Sequence, residues 1–402
     1  MEKVMKKILS FLAAVSVLAC LTATAASNDV AAYLDSALSV LPNQLSLSIF
    51  EEIGHTNNAY KSSDSRNGSF YFKTGIAPAI SRTKGNLTYG LKGRFTYDYY
   101  TRFGGDLNQF NWSLTPTISF KDDGEGLIRD LTLGLNSTAK VDALNNADNR
   151  YARSYITTVN AGVDLAFTEK LGVLLNGKYV YDYYTQEEFE DFSKQTYSAN
   201  VTPYFQATAK TRLGIRLGYE ETKYNHHGAY DDFNRYVVNG LVDFHGEKFS
   251  ATAEAGLEHL NYDGVTGYIA DADGHWKLNG SLILKFKPVT NFETALALSS
   301  GHENSSVGYG RNGSVSNKIA MSAQWMATSH ILLQGRVGVS DNNEKKSADD
   351  NREFFTELQA NYMFNSGLSL YVGYKYRNIQ FRYDSDMDYS VTEYFVGCRY
   401  TF

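Results

Sequence analysis

The chain has 402 residues and a formal net charge of -6, with 30 tyrosines, 33 glycines and only five prolines. Its negative mean hydropathy excludes a bundle of membrane-spanning helices, but not a sheet in which every second side chain is apolar. Acidic and basic residues are intermixed without a basic stripe, which argues against nucleic acid as a partner.

The N-terminus has the pattern of a secretory signal peptide over residues 1–26. Three lysines precede an apolar run at 8–21, and small residues follow it up to position 26. The alternative, lipoprotein processing at Cys20, is disfavoured because Leu18 stands where a small residue is usual. After cleavage Cys398 is the remaining cysteine, so we expect no intrachain disulfide.

Residues 28–41, within a segment 27–43, have apolar side chains at helical spacing. Asp29 can cap this helix and Pro42 ends it. The pattern predicts a short helix before the first strand. Its role stays open between a packed cap, a periplasmic helix, a plug and a docking arm for a partner.

From residue 44 to the end, apolar side chains recur at every second position in segments of about ten to fourteen residues. Clear cases are 87–99, 276–286 and 368–376. Such segments have the length that a tilted strand needs to cross a bilayer. The sequence therefore predicts membrane-spanning strands.

Short and long connections alternate along this region, which is typical of outer-membrane barrels with short periplasmic turns and long outer loops. Their number predicts an all-β fold, an antiparallel up-and-down transmembrane barrel over 44–402 of about 18 strands, with 16 as the fallback. Both chain ends are then periplasmic. A soluble sandwich with so many uniform hairpins is disfavoured.

Two similar segments, FTYDYYT at 95–101 and YVYDYYT at 179–185, each precede a long loop. Tyrosines there predict an aromatic girdle at the outer interface, with carbohydrate stacking as the alternative. Pro78, Pro116 and Pro203 stand at similar distances before short turns. Because proline removes a ladder hydrogen bond, we expect a bulge near the barrel rim at each.

The last strand sets the register of side chains toward lipid or lumen. Charged side chains of the other parity are predicted to line a hydrated pore: Lys92, Arg94, Asp98, Lys178, Arg216, Glu220, Glu254, Lys285, Arg336, Glu357, Lys375, Arg377 and Arg399. A basic cluster of Arg336, Lys375, Arg377 and Arg399 favours anionic solutes, or else is simply solvated.

Other chemistry has little support in the sequence. No nucleophile motif, zinc-ligand spacing or phosphate loop is present. His226 and His227 lie in a predicted loop, where simple solvent exposure accounts for two adjacent histidines without a functional site. Calcium ligation by Asp271 and Asp273, or by the acidic loop at 384–388, competes with plain solvation. We expect no enzyme, cofactor or metal.

The alternating residues Tyr394, Val396, Cys398, Tyr400 and Phe402 resemble the C-terminal signal that barrel-assembly machinery reads in bacterial outer-membrane proteins. Together with the proline-containing strands and tyrosine-rich strand ends, they make the mature chain similar to outer-membrane β-barrel porin families, including barrels associated with exopolysaccharide export.

The resemblance implies a porin-like channel for hydrophilic solutes in the outer membrane of a Gram-negative cell. The alternatives are a conduit for exopolysaccharide and a plugged structural or adhesive barrel. Implied partners are outer-membrane lipid, lipopolysaccharide, the assembly machinery and the solute or polysaccharide. The motifs are generic to barrels, so no functional residue is carried over.

Overall fold

The computed structural model describes residues 45–59, 61, 68–122, 126–143, 151–225, 232–263, 276–303, 314–343, 350–382 and 385–402. The predicted signal peptide and the predicted helix at 28–41 lie outside these residues. So do His226, His227, Asp271, Asp273 and Asp384. Among the described residues, no helix is long and apolar enough to span a membrane.

One sheet contains all the strands: β1 (Leu45–Thr56), β2 (Ser69–Lys84), β3 (Leu87–Tyr100), β4 (Gln109–Lys121), β5 (Ile128–Ala143), β6 (Tyr151–Ala166), β7 (Leu171–Tyr184), β8 (Lys194–Thr208), β9 (Thr211–Tyr224), β10 (Asp232–His245), β11 (Phe249–Asp263), β12 (Trp276–Val289), β13 (Phe292–Glu303), β14 (Ser314–Met326), β15 (Ile331–Asn343), β16 (Asn351–Met363), β17 (Leu368–Phe381) and β18 (Tyr389–Thr401). A four-residue helix α1 (Gly104–Leu107) and two 3-10 turns (Glu187–Phe192 and Ser385–Met387) lie in connections.

The sheet closes on itself. Each strand pairs antiparallel with the next, and β18 pairs with β1 in a register that sets Phe50 opposite Arg399. Beyond the ladder, the Asn57 amide donates to the Thr392 carbonyl at 3.1 Å and the Phe402 amide donates to the Leu47 carbonyl at 3.0 Å. The predicted closed barrel and its 18 strands are confirmed.

The outer surface is apolar and exposed. Leu278 is 79% exposed, Val372 56% and Val396 55%, and each belongs to the outward parity of its strand. Large apolar side chains cover this face on strands all around the barrel. A continuous apolar surface of this extent is stable only against lipid.

Aromatic side chains form a belt near each end of this surface. At the long-loop end Tyr179 packs on Tyr197 with centroids 4.9 Å apart, and Tyr181 stacks on Tyr183. At the short-turn end Tyr362 packs on Phe364, and Tyr400 on Phe402. The outward parity that a girdle requires is found for Tyr97, Tyr99, Tyr179, Tyr181 and Tyr183. Tyr100 and Tyr184 have the inward parity, and they pack on Tyr71 and Phe192.

Inside the barrel, aromatic rings near the β1–β18 junction lie on glycines of neighbouring strands. Tyr71 covers Gly54, Phe395 covers Gly373 and Tyr371 covers Gly397. A Cβ on Gly397 would stand 2.4 Å from Tyr371 Cζ and 2.5 Å from the Glu51 carbonyl oxygen. Only glycine allows this approach, so the junction is closely packed on its inner side.

The proline prediction is wrong. Pro78, Pro116 and Pro203 each keep regular pairing with one neighbouring strand, and on the other side the ladder is interrupted without a change of register. The reason is that an antiparallel residue directs its N–H to one neighbour only, so proline costs bonds on one side. The register shifts lie elsewhere, at 128–130, 206–208 and 286–289, beside short turns.

Candidate functional site

The inner face of the barrel carries the charged side chains. Cross-strand pairing places all thirteen predicted pore-lining residues on this face, opposite to Val372 and Val396. Two separate cavities account for eight of them. Within the predicted assembly signal, Tyr394, Val396, Cys398 and Tyr400 lie on the other parity, toward lipid.

The first cavity, of about 470 Å³, is bordered by β14–β18 and is rich in cations. Its charged lining is Lys61, Lys318, Arg336, Lys375 and Arg377 against Glu353, Glu357 and Glu393. Lys375 lies 3.8 Å from Glu393, and Arg377 binds Glu353. Five cations and three carboxylates leave a net formal charge of +2 on this wall.

Arg336 is exposed in this cavity, as are Lys375 and Arg377, but unlike them it makes no ion pair among the described residues. Its guanidinium stacks over Phe355 at 5.0 Å from the ring centroid. No carboxylate among the described residues lies within ion-pair distance of it, although Glu357 is its cross-strand neighbour. An aromatic platform holds the cation toward solvent and leaves it available to an anion.

Arg399 is separate from the other three members of the predicted basic cluster. Its cross-strand neighbours are Phe50 and Ser369, near the short-turn end, and it does not border the first cavity. Parity along the strand predicts only the face of this residue, whereas the stagger between strands decides its depth. The local basic group is therefore Arg336, Lys375 and Arg377, joined by Lys61 and Lys318.

The second cavity, of about 560 Å³, is bordered by the wall from β5 to β13. Lys178, Arg216, Glu220 and Glu254 line it. Arg216 Nη1 lies 2.7 Å from Glu254 Oε2, and its Nε donates to Asn200 Oδ1 at 3.2 Å. Arg216 is thus paired laterally with other strands, whereas Lys178 and Glu220 make no ion pair among the described residues.

A buried ion pair near the long-loop end was missed by the sequence reasoning. Arg235 on β10 donates through Nε (2.9 Å) and Nη2 (2.6 Å) to Glu258 Oε2 on β11. The Glu258 side chain is 0% exposed, and its Oε1 accepts the His302 backbone amide of β13 at 2.9 Å. The alternation of side chains along β10 and β11 would have predicted that Arg235 and Glu258 both point inward, since Glu258 has the same parity as the predicted Glu254.

The β1–β4 wall holds a second network. Lys73 Nζ lies 3.8 Å from both Glu52 and the predicted Asp98. Asp98 also accepts a hydrogen bond from Asn111, while Arg94 lies over the Phe50 ring at 4.5 Å. Glu52 further accepts from the hydroxyls of Tyr71 and Tyr371, at 3.3 Å each. This network ties β1 to β2 and β17, and so stabilises closure.

Lys92 and Lys285 are exposed on the inner face, outside both cavities. Across the part of the chain that the structure describes, no three His, Cys, Asp or Glu side chains come together as metal ligands. The inner face is thus a set of ion pairs, one net basic wall and one amide-rich wall.

No protein-family model matches the chain, and no curated protein matches it in sequence. Solved structures similar to it include the outer-membrane protein OpdK of Pseudomonas aeruginosa, at 10% identity and a TM-score of 0.45, covering 89% of this chain and 99% of that one. OccAB3 of Acinetobacter baumannii has 10% identity and a TM-score of 0.44, covering 89% and 98%. The FrpB iron transporter of Neisseria meningitidis has 10% identity and a TM-score of 0.44, covering 92% and 84%.

These likenesses are too slight to carry an argument about function. The assignment to the membrane rests on the closed antiparallel sheet and on its exposed apolar exterior between two aromatic belts. On that evidence the protein is an integral outer-membrane β-barrel of 18 strands.

Proposed function

We propose that the protein is a porin-like channel for passive passage of small hydrophilic solutes, with no catalytic role. The observation that carries the proposal is a closed 18-strand wall whose inner face is charged and hydrogen-bonding. Side chains just fill an eight-strand barrel, whereas barrels of about 16–18 strands enclose an aqueous channel. Polar walls on both sides of that space favour water and solutes over apolar ligands.

The proposal includes the membrane context. Short turns face the periplasm, long loops face outward and contact lipopolysaccharide, and the terminal residues Tyr394 to Phe402 are read by the assembly machinery. The segment 27–43 then enters the barrel from the periplasmic side or packs against its rim.

Single-channel recording in planar bilayers tests the channel. The mature chain should give discrete conductance steps that scale with the conductivity of the bath. The same measurement on a chain lacking residues 27–42 should give equal or larger steps, depending on whether this segment enters the lumen. A heat-modifiable, folded barrel without steps in either form would instead support the plugged structural alternative.

The net basic wall predicts a preference for anions. Replacing Arg336 by glutamate changes the charge of the exposed guanidinium site and should lower the chloride-to-potassium permeability ratio by about two- to five-fold. The reversal potential in a potassium chloride gradient measures this ratio. Arg82→Glu makes the same charge change on the outer face of β2 and should leave the potential unchanged; an equal shift in both variants would contradict the assignment.

A further inference from the structure

Five asparagines lie together on the inner wall from β6 to β12, around the second cavity: Asn160, Asn176, Asn200, Asn239 and Asn279. Asn176 and Asn200 are direct cross-strand neighbours, and Asn239 and Asn279 both flank Gly256 across β11. We call these five residues the amide patch. Its members come from five different strands within one continuous part of the sheet, and the stagger between neighbouring strands brings them to a similar depth.

Three of the amides lie flat against glycines of neighbouring strands. A Cβ on Gly162 would stand 3.1 Å from Asn176 Oδ1, one on Gly218 2.6 Å from Asn200 Oδ1, and one on Gly256 2.4 Å from Asn239 Oδ1. A larger residue at these glycines would push the amides into the lumen. The glycines therefore hold the amides close to the wall and leave the space in front of them open.

Two members of the patch have unsatisfied hydrogen-bonding atoms. Asn279 is 8% exposed and Asn239 is 5% exposed, and both border the second cavity. Within the described residues, Asn279 Nδ2, Asn279 Oδ1 and Asn239 Oδ1 have no hydrogen-bond partner. A buried polar atom without a partner is costly. These atoms are themselves closed to solvent, so a guest molecule can satisfy this donor and these acceptors once the amides turn toward the cavity that their residues border.

The charges around the patch favour an uncharged guest. Arg216 pairs with Glu254 at 2.7 Å, and Arg235 pairs with Glu258 at 2.6 Å. Lys178 and Glu220 add one charge of each sign. When Glu258 is counted as the partner of Arg235, three cations and three carboxylates balance among the described residues of this wall, in contrast to the basic wall across the barrel.

We propose that the amide patch is a binding site for uncharged polyhydroxylated solutes, that is, small sugars and polyols. An amide donates and accepts at once, as a hydroxyl does, so a row of amides matches an array of hydroxyl groups. The inference rests on the proposed channel function, whose solute class it specifies. The basic wall then conducts small anions past a site that retains neutral solutes.

The test uses the whole mature chain and the uncharged trisaccharide raffinose. Raffinose should interrupt the potassium chloride current with saturable, concentration-dependent blocking events. Poly(ethylene glycol) of similar radius has ether oxygens but no array of hydroxyl donors, and should lower the current only in proportion to bath conductivity. Equilibrium dialysis of labelled raffinose against the detergent-solubilised protein measures binding independently of conductance.

The double variant Asn200→Ala, Asn279→Ala should weaken raffinose binding on the order of ten-fold, because each lost amide removes hydrogen bonds. Its potassium chloride conductance should be nearly unchanged. The single variant Asn176→Ala removes an exposed amide. It replaces the double variant in the raffinose measurements if the double variant does not form a heat-modifiable barrel. The control, Gln334→Ala with Gln359→Ala, removes two amides from the opposite wall and should change neither value.

The failures of the two proposals are distinguishable. Unchanged raffinose affinity in both asparagine variants, or equal effects of raffinose and poly(ethylene glycol), overturns the amide patch as a site while conductance steps still support the channel. Saturable binding that is lost in the asparagine variants, in a protein that shows no conductance, supports the site and overturns the channel.

Discussion

Replacing Gly397 by alanine is expected to prevent stable closure of the barrel. The new methyl group would stand 2.5 Å from the Glu51 carbonyl oxygen and 2.4 Å from Tyr371 Cζ. The ring could turn away, but the carbonyl belongs to β1, which pairs with β18 at this point. Relief requires the strands to separate at the junction, at a cost of about 3 kcal/mol or more. The folded fraction in urea, followed by heat-modifiable migration in gels, measures the loss.

Gly134→Ala is the matched control. It makes the same substitution on the inner face of a strand, and its Cβ would meet only Thr117 Cγ2 at 3.9 Å, an ordinary contact. This variant should unfold at nearly the wild-type urea concentration. If Gly397→Ala were as stable as Gly134→Ala, close packing at the junction would not be what holds the barrel shut.

Removing the Glu258 carboxylate by Glu258→Ala is the second change with a large expected effect. Arg235 would keep its charge with its partner gone, and the His302 backbone amide would lose its acceptor. Because breaking one half of a buried pair leaves an uncompensated charge, we expect a loss of about 3–5 kcal/mol. The effect should appear as a lower urea midpoint and as proteolysis near the long-loop end of β10–β13.

Two further variants serve as controls for Glu258→Ala. Glu221→Ala breaks the Glu221–Lys223 pair, whose side chains are 30% and 56% exposed, and should leave the urea midpoint nearly unchanged because water screens exposed pairs. Replacing Arg235 and Glu258 together by methionine removes both charges and should recover part of the lost stability. A Glu258→Ala protein as stable as the Glu221→Ala protein would show that water reaches the pair and replaces the carboxylate.

The two walls of the lumen differ in charge and are expected to select different properties of a solute in the proposed channel. On the β14–β18 side, Arg336 is held over Phe355 with its charge available. On the β6–β12 side, arginines are neutralised by glutamates and the amides remain. A solute in the lumen therefore meets a positive potential on one side and neutral hydrogen-bonding groups on the other, so charge and hydroxyl content are selected by different residues.

Much of the fold followed from local patterns. The alternation of short and long connections predicted about 18 antiparallel strands, because each connection marks one reversal of the chain. Period-two alternation predicted which side chains face lipid, because side-chain direction in a strand depends on parity alone. Every predicted lumen residue has the expected parity for the same reason. The failure at Pro78, Pro116 and Pro203 shows the limit, because whether a missing N–H bends a strand depends on the neighbour that it faces.

The sequence by itself determined the class of fold, the number of strands and the face of each side chain. Only the tertiary structure decided which residues share a depth: it separated Arg399 from Arg336, joined Arg235 to Glu258, and brought five asparagines from the strands between β6 and β12 into one patch. The reason is that parity is a property of one strand, whereas depth depends on the stagger between strands, which is fixed only when each strand pairs with its neighbours in the barrel.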